Sequence, residues 1–170
     1  MKRSRKRTIH VAIAMLTAIL AIVLLSVNAQ GALLGATDVR HGRAIYIANC
    51  AVCHQLAGTG VKASVPPLSE NVPNLLAQNG GRRYLLSALL NGVSGDVTVE
   101  GTTYDGLMPA WRHLSDSQLA AVLNYISYDW GNVDRLPNGT SAFTPFEVVA
   151  ARTDAQASRA VASSRPATED

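Results

Sequence analysis

The residues of this chain that could do chemistry gather in the segment "CAVCH", which spans residues 50–54 and holds both cysteines. Two residues separate Cys50 from Cys53, and His54 follows directly. Three kinds of chemistry use this spacing: a redox dithiol, part of a zinc site, or a covalently attached haem. The rest of the sequence has to decide between them.

Zinc and a redox dithiol both fit the sequence poorly. A structural zinc ion needs four ligands, and the fourth would have to be His41 or His113, neither of which stands at the usual spacing of a second ligand pair. A thioredoxin-like dithiol lies at a helix start beside a β-α-β pattern, whereas this motif follows a predicted helix. Haem explains the spacing better, since each thiol adds across one vinyl group and the adjacent histidine meets the iron.

A second iron ligand has few candidates. The chain has three methionines, of which two belong to the N-terminal leader and the third is Met108 in "DGLMPAW". Met108 lies in a predicted loop, which is a poor context for a residue that only fills a core. Its context alone leaves the sixth iron position open between Met108, His113, His41 and no protein ligand.

Residues 1–30 are typical of a leader rather than of a folded domain. Five basic residues in "MKRSRKR" precede an apolar run at 8–27, which predicts either a cleaved signal peptide or a single transmembrane anchor. The length of the run favours an anchor in the inner membrane, and small residues just after it favour cleavage into the periplasm. Either way, we expect a spacer at 31–37 and a domain on the outer, periplasmic side.

The charge of the chain argues against a nucleic-acid partner. It has 15 Lys and Arg against 12 Asp and Glu, a net charge of +3. Without the five basic residues of the leader, ten basic residues face twelve acidic ones, a net charge of −2. No basic patch remains to bind a phosphate backbone.

Hydrophobic spacing and capping signals predict a mostly α-helical domain at 38–131. We expect helices at 39–50, at 82–91 and from a capping box at Ser115 to Gly131, a small hairpin at 96–104, and a long Gly- and Pro-rich loop at 55–81 with at most one or two short helical turns. A loop of this length in a small domain is usually functional, and here it would wrap a flat apolar cofactor.

Residues 132–170 form a C-terminal extension without a recognisable motif. A capping box at Thr144 and Glu147, with Pro145 at the first helical position, predicts a helix at 145–152. The Ala- and Ser-rich end is expected to be partly disordered. The sequon at 138–140 is read as a turn.

Residues 38–131 resemble the class I, mitochondrial-type cytochromes c in their bacterial single-haem form. Gly42 and Tyr46 stand eight and four residues before the first cysteine, where the family has a glycine and an aromatic residue that pack against the last helix. Val122 and Tyr125 look like the matching residues of that helix. The resemblance implies a mostly α class I cytochrome c fold, with about four to five helices around one covalent haem c and a small β-hairpin before the methionine loop.

The resemblance also implies the residues that hold the cofactor. Cys50 and Cys53 would bind the haem covalently, and His54 and Met108 would be its axial iron ligands. In "PPL", Pro66 would offer its carbonyl to the Nδ1–H of His54, which fixes the tautomer of that ligand.

The function implied is electron transfer rather than enzyme catalysis. Redox partners would be a donor dehydrogenase or quinol-oxidising complex and an acceptor oxidase or reductase, with a membrane tether through 8–27 if the leader is uncleaved. The domain has a single lysine, Lys62, so it lacks the lysine-rich docking face of the mitochondrial protein. The chain could also be the cytochrome subunit of a larger oxidoreductase, with 132–170 as a docking arm.

A function from another class stays open on the residues alone. A haem enzyme or gas-binding sensor would have an open or labile sixth iron position. Met108 would then be a core residue, and Arg112 or His113 would serve the distal pocket.

Overall fold

The computed structural model describes residues 15–22, 39–154 and 156–167. The chain divides into two compact units, Met1–Thr37 and Asp38–Asp170. In the first unit residues 15–22 are helical, while the rest of the predicted leader and the spacer lie outside the described residues. Within the described ranges, no helix is both long and apolar enough to cross a membrane.

The second unit consists mainly of short helices with a small antiparallel hairpin. In chain order the elements are α1 (39–49), α2 (Ala51–His54), α3 (Asn71–Ala77), α4 (Gly81–Asn91), β1 (Val97–Val99), β2 (Thr102–Tyr104), α5 (Asp116–Tyr128), a 3-10 helix (Asn132–Arg135), α6 (Pro145–Ala151) and α7 (Ser158–Ser163). The hairpin pairs Val97 with Tyr104 and Val99 with Thr102. The mostly α fold with a hairpin before the Met108 loop is therefore confirmed.

Helix α5 begins where its capping signal predicts. The Ser115 hydroxyl accepts the Gln118 N–H at 3.2 Å, and the Gln118 side chain accepts the Ser115 N–H at 2.9 Å. The helix ends at Tyr128, three residues before Gly131, because Asp129 adopts an extended conformation. Local capping chemistry thus fixed the start of the helix better than its end.

The contact between α1 and α5 requires a glycine. A Cβ at Gly42 would overlap the carbonyl oxygen of Ala121 in α5. One turn later, the buried Tyr46 ring lies 5.2 Å from the Tyr125 ring and 5.1 Å from the Trp130 ring, measured between centroids. This close packing fixes the end of α1, and with it the start of the CAVCH segment, against α5.

The C-terminal extension is more ordered than its sequence suggested. We expected the Ala- and Ser-rich end to fray, but residues 158–163 form α7, and Val161 is fully buried. The Ser94 N–H donates to the Ser158 carbonyl at 3.2 Å, and their hydroxyls lie 2.9 Å apart. Alanine favours a helix, but six residues without a side-chain cap are too few to be helical alone, so packing against the rest of the domain decides the structure here.

Helix α6, which lies close to its predicted range, is bound to α4 through one arginine. The Arg82 guanidinium donates to both carboxylate oxygens of Glu147 at 2.6 and 2.9 Å, and to the carbonyls of Ser141 and Ala142 at 2.9 Å each. Its Cζ atom lies 3.8 Å from the centroid of the Phe143 ring. A bidentate pair with this stacking is among the stronger arrangements for a partly exposed arginine.

Candidate functional site

The CAVCH segment forms α2 and the turn before it. The Cys50 N–H donates to the Tyr46 carbonyl at 2.8 Å, so the segment continues directly from α1. At its other end, the buried Tyr46 hydroxyl donates to the Gln55 carbonyl at 2.6 Å. Cys50 is partly buried, Cys53 is exposed and His54 is buried. Tyr46 therefore contacts both ends of the segment, one through its backbone carbonyl and the other through its side-chain hydroxyl.

The pKa of the Cys50 thiol is shifted in the opposite direction to that of a reactive redox cysteine. Burial raises its pKa to about 11, and the neighbouring Cys53 adds to the rise. Redox-active cysteines have a lowered pKa, because the thiolate is the nucleophile. The environment of Cys50 thus argues against the dithiol interpretation. In the described part of the chain, no group of three or more His, Cys, Asp or Glu is placed to hold a metal ion.

His54 is held in one tautomer. Its Nδ1 lies 3.1 Å from the carbonyl oxygen of Pro66, which can only accept a hydrogen bond, so Nδ1 carries the proton. Burial lowers the pKa of His54, with the Pro66 contact opposing it, so the imidazole is neutral near pH 7. Its Nε2 lone pair is therefore available to a metal ion, as the resemblance to Pro-x-Leu implied.

Met108 is positioned by backbone hydrogen bonds on both sides of its loop. It pairs with Val93 in both directions, at 3.0 and 2.9 Å, and the Trp111 N–H donates to the Leu89 carbonyl at 2.7 Å. Gly92 makes this approach possible, because its φ is +73° and a Cβ there would lie 2.6 Å from the Met108 carbonyl oxygen. The loop is thereby fixed to the end of α4.

These residues meet at a single cavity of about 250 Å³. Its walls are mainly aliphatic and aromatic side chains from α3, α4, α5 and the hairpin. All five residues that the sequence assigned to the cofactor line it: Cys50, Cys53, His54, Pro66 and Met108. Two thiols, a neutral imidazole and a thioether in an apolar cavity form a donor set that fits a covalently attached haem.

The other candidate ligands and distal groups do not line this cavity. His41, Arg112 and His113 are all exposed. The Arg112 guanidinium donates instead to the Asn91 side chain at 3.0 Å and to the Arg152 carbonyl at 2.9 Å. An acid–base role at the iron would require these groups at the cavity.

Asn132 is a supporting residue that the sequence did not reveal. It is fully buried, and its Oδ1 accepts the Glu70 N–H at 2.7 Å. Its Nδ2 donates to the carbonyls of Ile126 and Leu68, at 2.8 and 3.2 Å. It therefore holds the segment that follows Pro66 against α5, and only its contacts distant in sequence identify it.

Arg165 is the second residue that sequence reasoning missed. It follows α7 in the extension and lines the cavity. Its Nη2 donates to the Asn71 side chain at 2.9 Å. An arginine in an Ala- and Ser-rich end gives no sequence signal for a place in the site.

Comparison with known proteins points to a haem protein. Residues 39–130 match the family described as cytochrome c. The chain is 43% identical over 107 residues to a protein named cytochrome c-552 from Thermus thermophilus, covering 63% of this chain and 80% of that protein.

Two further relatives are subunits of larger enzymes. The chain is 34% identical over 95 residues to the cytochrome c subunit of a quinone alcohol dehydrogenase from Gluconobacter oxydans, covering 54% of this chain and 18% of the subunit. It is 34% identical over 103 residues to the gluconate 2-dehydrogenase cytochrome c subunit of Pantoea cypripedii, covering 56% of this chain and 21% of that subunit.

Proposed function

The chain belongs to the cytochrome c family, as a class I bacterial protein with one haem, and we propose that it carries single electrons between a donor dehydrogenase or quinol-oxidising complex and a terminal acceptor. Electron transfer itself follows from the family. The direction, the partners and the outer side of the membrane as the place of work are our proposal.

The cofactor is one covalently bound haem c. We assign Cys50 and Cys53 to its two thioether bonds, in each of which the S–H adds across a vinyl C=C and needs no oxidant. We assign His54 Nε2 and the Met108 sulfur to the iron. The haem would supply an Fe(III)/Fe(II) couple that gains and loses one electron without making or breaking a bond.

The observation that carries the proposal is the meeting of His54 and Met108 at one apolar cavity. With two protein ligands, the iron has no position left for a substrate. A thioether ligand and burial both favour the reduced iron and raise the reduction potential. These properties suit a carrier that delivers electrons to a high-potential acceptor.

The surface for electron exchange would lie beside α2 and the Met108 loop. Val52 and Leu107 both line the cavity and are 81% and 74% exposed, and Cys53, which also lines it, is exposed as well. The sole lysine outside the leader is Lys62. We therefore infer a small, transient contact whose centre is apolar rather than a lysine-rich patch.

We favour a separate carrier over a dedicated enzyme subunit. The match covers most of the Thermus cytochrome c-552 but less than a quarter of either dehydrogenase subunit. Co-purification of a stoichiometric partner that is lost on deletion of 132–170 would favour the subunit instead.

The leader would deliver the domain to the periplasmic side, either as an anchor through 8–27 or as a cleaved signal. Membrane fractionation combined with N-terminal sequencing of the mature protein distinguishes the two. Recovery of the haem protein from the cytoplasm would contradict export in either form.

The experiment that tests the ligation is the absorption spectrum of the reduced protein with and without carbon monoxide. We expect no change, because two protein ligands close the iron. A carbon monoxide adduct would contradict closed ligation and point to peroxidase or gas-sensing chemistry.

A further inference from the structure

The C-terminal extension places an arginine in the wall of the haem cavity. Helix α7 packs against the domain through the buried Val161 and through the contacts of Ser158 with Ser94. Arg165 follows directly and lines the cavity. This position depends on the fold of the extension and not on the CAVCH segment.

The Arg165 guanidinium has incomplete partners. Its Nη2 donates to Asn71, and its Cζ lies 5.5 Å from the centroid of the Tyr84 ring. Its Nε is buried and has no hydrogen-bond partner, and it is the one buried side-chain nitrogen or oxygen of the described residues in this condition. A buried donor on a charged group costs free energy unless an acceptor is bound, and an anion is the best acceptor.

Arg165 is also the one charged side chain among the residues that line the cavity. The titratable groups that face the cavity with it are His54, which is neutral, the two cysteines, and three tyrosines. None of the described carboxylates forms an ion pair with Arg165. The wall therefore presents one unmatched positive charge to an otherwise apolar space.

A bound haem would bring two propionate groups, which are anions of the kind that this unmatched guanidinium would bind. We propose that Arg165 donates its Nε–H to a haem propionate, so that the C-terminal extension supplies a cofactor-binding residue of the site. Asn71 is then a positioning residue that holds the guanidinium from its other side. This inference requires the haem in the cavity but not the electron-carrier role.

The arrangement has a consequence for the reduction potential. A positive charge near the iron disfavours the more positive Fe(III) state and therefore raises the potential. The same charge stabilises the ionised propionate and lowers its pKa. Removing Arg165 should therefore lower the potential and move the propionate ionisation to higher pH.

The test compares Arg165→Gln with Arg159→Gln in the full haem-loaded chain. Arg159 lies on α7 and is exposed. Its substitution removes the same charge and therefore controls for the general effect of net charge. The midpoint potential is measured by spectroelectrochemical titration from pH 4 to 9, without any partner protein. We expect Arg165→Gln to lower the midpoint potential at pH 7 and to shift the inflection of potential against pH upward, with neither change in Arg159→Gln.

Equal behaviour of the two variants would overturn the proposal. A lower potential with an unmoved inflection would also overturn it, because it would mean that the variant only loosens the cavity. If Arg165→Gln fails to retain haem, Arg165→Lys keeps the test valid, because lysine keeps the positive charge but has no Nε–H. We then expect the inflection at a higher pH than in the native protein, and an unmoved inflection with the native potential would overturn the contact with Nε.

Discussion

Hydrogen bonds from backbone groups hold His54 and Met108 at the cavity. The Pro66 carbonyl fixes the protonated nitrogen of His54, while two hydrogen bonds to Val93 fix the backbone of Met108. Hydrogen bonds within the protein thus fix the imidazole of His54 and the backbone of Met108. A ligand whose tautomer and backbone are already fixed loses little conformational freedom when it binds the iron.

The two residues that we propose as axial ligands should respond differently to substitution. We expect His54→Ala to abolish stable low-spin haem, because its nitrogen is the proposed ligand directly beside the covalent attachment. Met108→Ala should keep the covalent haem but lower the midpoint potential by on the order of 0.1 V or more, within the span of about 0.8 V that axial ligands set. Absorption spectra and redox titration of both variants measure these effects.

His113→Ala is the matched control, because His113 is exposed and does not line the cavity. Its spectrum and potential should equal those of the native protein. An unchanged spectrum and potential in Met108→Ala would contradict the assignment of the methionine.

Among the secondary-structure elements, the sequence predicted the helices whose starts are set by local capping chemistry. The capping boxes at Ser115 and Thr144 satisfy helix N–H groups within four residues, so their signals are visible in the sequence. Helix α7 and the roles of Asn132 and Arg165 depend on partners more than 60 residues away. No local pattern encodes such contacts, which is why the Ala- and Ser-rich end of the extension was expected to be partly disordered.

The pair of Arg82 and Glu147 should make stability depend on pH. The Arg82 hydrogen bonds lower the pKa of Glu147 from 4.5 to about 2. The folded pKa lies below the unfolded one, so the stabilisation is complete above pH 4.5 and is lost as the pH falls through about 2. Because the Glu147 side chain is 34% exposed, solvent screening reduces the effect, and we expect Glu147→Gln to cost about 1–2 kcal/mol at pH 7.

Urea denaturation of the haem protein between pH 7 and pH 2.5 measures this loss. The difference between the native chain and Glu147→Gln should shrink as the pH falls below 4.5. Glu100→Gln, at the exposed hairpin turn, removes the same charge without an ion pair in the structure and should cost little at any pH. A difference that stays constant with pH would contradict the ion pair as its cause.

The crossing of α1 and α5 should tolerate no side chain at Gly42. Gly42→Ala places a methyl group on the Ala121 carbonyl, and we expect it to reduce the free energy of unfolding by about 1–3 kcal/mol or more. Ala48→Val, at an exposed position of the same helix, adds more volume toward solvent and should cost far less. If the urea midpoints of the two variants differed little, α1 and α5 would separate easily at this crossing.

For the whole molecule, the extension is part of the haem domain rather than an appendage. Arg82 binds it to α4, Asn132 holds the segment after Pro66, and Arg165 reaches the cavity. One residue of the extension, Arg165, therefore lines the same cavity as residues of the domain at 38–131. The surface around Val52 and Leu107 remains exposed, and it is there that we propose a partner approaches the cofactor.

The apolar character of this surface leads to a prediction about partner recognition. We expect Leu107→Gln to slow electron transfer to an oxidase in membranes of the source organism by about tenfold, equivalent to ~1.4 kcal/mol of lost contact free energy.

Phe146→Gln is the matched control, since Phe146 is 80% exposed on α6 and does not line the cavity. A neutral substitution leaves the charge near the iron unchanged, and the midpoint potential and the rate of reduction by ascorbate are measured for both variants to separate an effect on the haem from an effect on the contact. Equal slowing in both variants would indicate a non-specific effect of surface polarity, whereas slowing confined to Leu107→Gln, with weak dependence on salt, would locate the contact beside the CAVCH segment.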